Sequence, residues 1–163
     1  MMRHSQSPPL LDLVLTYDQW KEEHDSLHRR LLDLCRFMKW NPVRDEMEDW
    51  EDHHQEVRKA FIPFMLDWQR HLSREVRTIY PFAKSATCAG RIGPVGVLEQ
   101  DGTIAAQYYE TYLKAVEAGA PAEEALPHLL QVLMIVAEHF RIEDETVVPA
   151  TEQLMNEIAY SGS

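Results

Sequence analysis

Apolar residues recur along this chain at steps of three and four, the spacing that lays them on one side of an α-helix. From Tyr17 the series runs through Trp20, His24, Leu27, Leu31, Leu34 and Met38. Thr16 stands three residues before Gln19, a capping-box arrangement that predicts the helix start there. Asn41-Pro42 ends the run, because the residue before a proline is pushed out of the helical region. A second helix is predicted from Asp45 to Pro81. Its first half, DEMEDWEDHHQEVRK, is polar and its second carries Phe61, Phe64, Trp68, His71, Glu75 and Thr78 on one stripe, with Pro63 placed to bend it. The segment AKSATCAGRIGP, with Gly90, Gly93 and Pro94, reads as the main loop. A third helix is predicted from Val95 to Ala118 on the stripe Val95, Leu98, Gly102, Ala105, Tyr109, Leu113 and Val116. Gly119, Ala120 and Pro121 stop it and open a fourth, from Ala122 past Leu154. The fourth stripe is Leu129, Val132, Val136, His139, Glu143 and Thr146.

No strand pattern competes. Four amphipathic helices with short connections predict an all-α fold, an up-down-up-down four-helix bundle. A length of 163 residues suits one domain that buries its own core. The expected division is a flexible N-terminal segment over 1–15, the bundle over 16–155 and a C-terminal tail over 156–163. Trp40 and Trp50, near the break between the first two helices, are candidates either for a contact patch or for covering the bundle's end.

Two polar motifs interrupt the apolar stripes. Residues 71–81 read HLSREVRTIYP and residues 139–149 read HFRIEDETVVP. Both are His-x3-Glu-x2-Thr-x2-Pro. Residues four apart share one side of a helix, so His71 points with Glu75 and His139 with Glu143. A carboxylate buried without a partner costs several kcal/mol or more. Two such pairs projecting into one bundle bring imidazoles and carboxylates together, and a metal ion satisfies all of them. Neutral imidazole with carboxylate suits iron, manganese or zinc better than copper(I). A lone His-x3-Glu is a weak signal; the shared Thr and Pro, and the place of both copies on the core stripe, strengthen it. Thr78 and Thr146 have two readings, a hydrogen bond to the nearby carboxylate or one to their own backbone a turn earlier.

Composition narrows the partners. With 16 basic and 27 acidic residues the formal charge is −11, which argues against general binding of nucleic acid or anionic lipid. No apolar run approaches the roughly 20 residues that span a bilayer. The stretch MMRHSQSPPLLDLVLT makes a poor signal peptide, interrupted by Asp12. Cys35 and Cys88 stand in no metal or redox spacing. Together these lead to an expected cytoplasmic location, without nucleic acid or membrane as partner.

On EEHDSLHRRL, HLSREVRTIYP and HFRIEDETVVP, from about Trp20 to Pro149, the chain resembles the hemerythrin-like (HHE cation-binding) domain family. The resemblance implies a non-heme di-iron centre inside the bundle, held by His24, His71, Glu75, His139 and Glu143, with the two glutamates bridging. The family's third helix opens with an acid followed by His; here Asp101 is the acid and Gly102 stands where the His is expected. That departure leaves three readings: two ions with the position open, another side chain substituting (His28, Asp101 or Tyr109), or one ion or none. A Gly102 without a side chain is also expected to leave space beside the centre, with Tyr108, Tyr109 and Trp68 as candidate lining. His53 and His54 are expected on a solvated helix face. The alternatives to a metal site are a satisfied core histidine, or Glu143 lying on a solvated face beside Asp144 and Glu145.

The function implied is binding or sensing of a small molecule (O2, NO or peroxide) at non-heme iron, two ions or one, with Zn or Mn as alternatives. An enzyme on the same centre, consuming peroxide or oxidising iron, and a metal-free bundle serving as an interaction module are the alternatives. No nucleophile, separate acid–base pair or Gly-rich phosphate loop is evident, so a ligand-binding protein is favoured over an enzyme.

Overall fold

The computed structural model describes residues 9–41, 43–44, 46–47, 53–86 and 94–161. Helix α1 spans Pro9–Met38 and begins about two turns ahead of the predicted Thr16 start. Pro9 opens it, at a position where a missing N–H has no intrahelical acceptor to lose. Leu13 carries the buried stripe back one turn from Tyr17. Residues 9–15, predicted to be flexible, are therefore helix.

Beyond Met38 the chain makes a two-residue ladder rather than the helix predicted from Asp45. Strand β1 (Trp40–Asn41) pairs antiparallel with β2 (Glu46–Met47), Trp40 opposite Met47. The Asn41 side-chain oxygen accepts the N–H of Val43 at 3.0 Å, a local bond that competes with helix. Helix α2 then runs His54–Ala86 through both Pro63 and Pro81. Trp40 is buried against the main core, so it covers the core's end instead of forming a contact patch. Asp45, Trp50, Cys88, Gly90, Gly93 and His4 lie outside the described residues.

Helix α3 spans Pro94–Glu117. Gly119 follows with φ 74°, its N–H bonded to Val116 O and the N–H of Ala120 to Ala115 O, both at 3.0 Å. This left-handed cap is the stop that Gly119 signals in the sequence. The last rod is α4 (Ala122–Ile142), a π-helical turn (Glu143–Val147) and α5 (Val148–Ser161), so helix continues into residues predicted as tail. The fold is all-α, with α1 packed on α2, α3 on α4, and α5 touching α1 and α2. No helix among the described residues is long and apolar enough to cross a membrane.

The core is split. One apolar cluster holds Leu27, Leu31, Phe61, Trp68, Ala105, Val136 and Phe140; the other holds Tyr17, Trp20, Ile79, Tyr80, Leu98 and Val147. On α1 the switch between them falls at His24, on α2 at His71 and Glu75, and on α4 and the π turn at His139 and Glu143. On α3 it falls at Asp101 and Gly102. A layer of buried polar side chains thus crosses the molecule between two apolar clusters.

Candidate metal centre

His24, His71, Glu75, His139 and Glu143 are each at most 1% exposed, and the fold brings all five together. They converge because each lies where its helix passes between the two apolar clusters.

The two carboxylates face two ways. Glu75 Oε1 lies 3.1 Å from His139 Nε2, and its Oε2 lies 3.3 Å from His71 Nε2. Glu143 Oε2 lies 3.3 Å from His139 Nε2, and its Oε1 lies 3.3 Å from His24 Nδ1. One side of the carboxylate pair therefore meets two imidazoles, those of His24 and His71. The other meets one, that of His139. On this second side, ligand atoms of Glu75, His139 and Glu143 all lie within 4.8 Å of one another.

Each histidine also meets an acid at its outer nitrogen. His24 Nε2 is 2.8 Å from Asp144 Oδ1, and His71 Nδ1 is 3.1 Å from Glu23 Oε1. His139 Nδ1 faces Asp101 Oδ2 at 3.7 Å. Acids behind imidazoles fix ring orientation and raise the basicity of the inward nitrogen. Trp20 and Phe140 stack on or against His24 at 4.7 and 4.9 Å, and Trp68 packs edge-on to His139 at 5.5 Å. The centre is walled by rings.

The π turn places the second copy of the motif. His139, Glu143, Val147 and Thr151 are all buried, a run of four-residue steps. At 3.6 residues per turn, position 151 would lie about 120° round the helix from 139. The wider π turn takes up that drift. Its closing bond runs from the N–H of Val148 to Glu143 O, and the next residue, Pro149, has no N–H to restore the α pattern. Thr78 and Thr146 bond their own backbone, at Arg74 O and Ile142 O, and not the carboxylates.

Among the proposed substitutes, none joins the inward set. Asp101 stands behind His139. His28 stacks on Phe140 at 5.0 Å and faces Asp144 at 3.7 Å. Tyr109 packs edge-on to Phe61 at 5.6 Å, in the apolar cluster, and Tyr108 is exposed. The phase of α3 explains the misplacement: Tyr112, not Tyr109, is its buried aromatic. Gly102 leaves no space beside the centre. A Cβ built on it would clash with the Leu72 side chain at Cδ2. Because the two positions compete for one volume, Gly102→Ala and Leu72→Ala are expected to couple favourably by at least about 0.5 kcal/mol. Urea denaturation of the two single variants and the double variant measures this; strict additivity would contradict it. His54 is half-buried and its Nε2 lies 3.0 Å from the Tyr112 hydroxyl, while the half-buried His53 packs on Phe37 at 5.4 Å; neither is on a freely solvated face.

Four residues were not legible as site residues. Tyr80 is fully buried and donates from its hydroxyl among Glu75 Oε1 at 2.8 Å, Glu143 Oε2 at 3.1 Å and His139 Nε2 at 3.3 Å. Trp20 Nε1 donates to Glu75 Oε2 at 2.7 Å. Glu23 and Asp144 back two of the histidines. The one available signal for Tyr80 is that the aligned position of the second motif copy is Val148.

Burial disfavours the charged imidazoles, but the acids outweigh it. His24 is raised above its usual value by Glu143 and Asp144, His71 by Glu75 and Glu23, and His139 by Glu143, Asp101 and Glu75. Burial likewise opposes the Glu75 carboxylate, yet His139 and His71 hold it below the usual range. Burial and the carboxylates of Glu143 and Glu75 push the Tyr80 phenol up.

The donor set fits a metal. His24 Nδ1, His71 Nε2 and Glu143 Oε1 are buried and have no aligned hydrogen-bond partner, although acid and imidazole stand only 3.3 Å apart. A cation would satisfy these atoms at once, and hard carboxylate with imidazole is the chemistry of iron, manganese or zinc. Compared with known proteins, the chain matches no family model, no curated protein and no solved structure.

Proposed function

We propose that this chain is a hemerythrin-like, up-down-up-down four-helix bundle that holds two iron ions and binds or senses a small molecule such as O2, NO or peroxide. The observation that carries the reading is the two-sided carboxylate pair. Glu75 and Glu143 each turn one oxygen toward His139 and the other toward His24 or His71, an arrangement suited to bridging two ions. Histidines 24 and 71 would serve one ion, and His139 the other. Ferrous iron supplies the electrons and the exchangeable coordination position that such ligands need. The protein's part is to orient the imidazoles of His24 and His71 through Asp144 and Glu23, to place the Asp101 charge behind His139, and to exclude bulk water with Trp20, Trp68 and Phe140. A groove between α1 and α2, lined by Glu23, Arg30, Arg70, Arg74 and His71, borders the centre at His71. Binding needs no further catalytic group, which favours carriage or sensing over turnover.

Elemental analysis of the chain, loaded anaerobically with iron(II) and desalted, tests the reading. About two irons per chain are expected, with His71→Ala and His139→Ala each losing at least one. No retained iron in the native chain would sink it. Peroxide turnover at catalytic rates would favour the enzyme reading of the same centre.

A further inference from the structure

The two sides of the carboxylate pair are unequal in protein donors. One has two imidazole nitrogens and two carboxylate oxygens. The other has two carboxylate oxygens and His139 Nε2 alone. The Tyr80 hydroxyl stands on this poorer side, within 3.3 Å of all three of its donors and of neither His24 nor His71 by any bond. Resting on the metal reading above, we propose that Tyr80 is a ligand of the metal ion held by Glu75 Oε1, Glu143 Oε2 and His139 Nε2.

The geometry favours ligation over simple hydrogen bonding. A phenol has one proton to give, and two carboxylate oxygens, Glu75 Oε1 and Glu143 Oε2, stand within reach of it, so only one receives a good bond. His139 Nε2 meets Glu75 Oε1 at 3.1 Å, and all four atoms are shut away from solvent. A cation in their midst engages every one. On binding, the phenol O–H bond breaks and its proton leaves to solvent, while the oxygen's electron pair goes to the ion. The helix supports this placement. Side chains on α2 tilt toward its N-terminus, so a long ring anchored at position 80 reaches back to the level of Glu75. Val148, the aligned residue of the other motif copy, has no donor to offer the side that already has two imidazoles.

The test uses the full chain loaded with iron(II) and oxidised in air. The native protein is expected to show a visible phenolate-to-iron(III) charge-transfer band, with tyrosinate ring vibrations in resonance Raman spectra excited within it. Tyr80→Phe is expected to lose the band completely while keeping at least half of the native iron. Tyr80→His, which retains a donor, is expected to keep iron and lose the band, and Tyr109→Phe to leave it unchanged. Iron bound without the band in the native protein, or a band that survives in Tyr80→Phe or Tyr80→His, overturns the assignment and leaves the metal centre standing. The native spectrum decides this even where a variant does not fold. No iron in the native protein overturns the metal reading itself, and the Tyr80 assignment with it.

Discussion

Glu75→Ala is expected to cost the metal-free protein about 3–5 kcal/mol, the range for removing one partner of a buried ionic cluster. Glu75 accepts from Trp20 Nε1 at 2.7 Å and from the Tyr80 hydroxyl at 2.8 Å, and it faces His139 and His71 at 3.1 and 3.3 Å. Truncation leaves the Trp20 Nε1–H and the inward nitrogen of His71 buried without an acceptor, and leaves Tyr80 and His139 with Glu143 alone. The loss compares with a total stability of about 5–15 kcal/mol for a typical domain. Urea denaturation with a chelator present measures it. Glu145→Ala, an exposed change that removes an ion pair to Arg141, should cost less than about 1 kcal/mol and serves as the control. A Glu75→Ala loss as small as the control's would mean that the carboxylate does not hold the cluster together. Replacing all five inward residues by apolar ones should have the opposite sign, neutral or stabilising by about 1–4 kcal/mol, because buried ions repay their desolvation poorly. That contrast would show that the cluster is kept for binding and not for stability.

How much of this was legible in the sequence depends on what kind of information placed each residue. Helical periodicity located α3 nearly to the residue, found the start of α4 at Ala122, and put His71, Glu75, His139 and Glu143 on buried faces, because those faces are set by local spacing. Periodicity located the start of α1 poorly. The Thr16 capping signal is real as a pattern, but Leu13 has a core to join, and tertiary burial overrides a local cap. It also failed at α2, where the short ladder at Trp40 and Met47 displaces the first predicted turns. Within the site, what the sequence missed are contacts between helices. Tyr80 lies five residues past Glu75, off its helical stripe, and reaches the centre only through its length. Asp144 looks like part of an acidic surface run, EDE, until the π turn and α1 bring it to His24 at 2.8 Å. Gly102 read as an empty place, yet Leu72 of the neighbouring helix takes its volume. Periodicity reports which face is buried; it does not report which neighbour fills that face.

Loading the centre should reverse the sign of its pH dependence. In the metal-free chain, His24, His71 and His139 are held above their ordinary values by the acids around them. A raised histidine contributes stability that is fully present below about 6.5, its unfolded value, and is lost as pH rises through its folded value. The depressed Glu75 contributes stability that is present above its ordinary 4.5 and is lost as pH falls through its folded value. Metal-free stability should therefore decline as pH rises from about 6.5 through the raised folded values of these histidines. Metal ligation needs the same imidazoles without their protons, so the stabilisation that binding adds should grow over that interval. At a free metal concentration a thousandfold above Kd the gain is about 4 kcal/mol. Zinc(II) is a convenient probe because it has no redox chemistry of its own. Thermal unfolding followed by far-UV circular dichroism should give a midpoint that falls with pH under chelator and rises, or stays level, with zinc. The acids behind the rings supply an internal check. Asp144→Asn weakens the hold on the His24 proton, so the chelated protein should lose less stability as pH rises. Parallel curves with and without metal would mean that the ion binds elsewhere, since an ion on these imidazoles has to displace their protons.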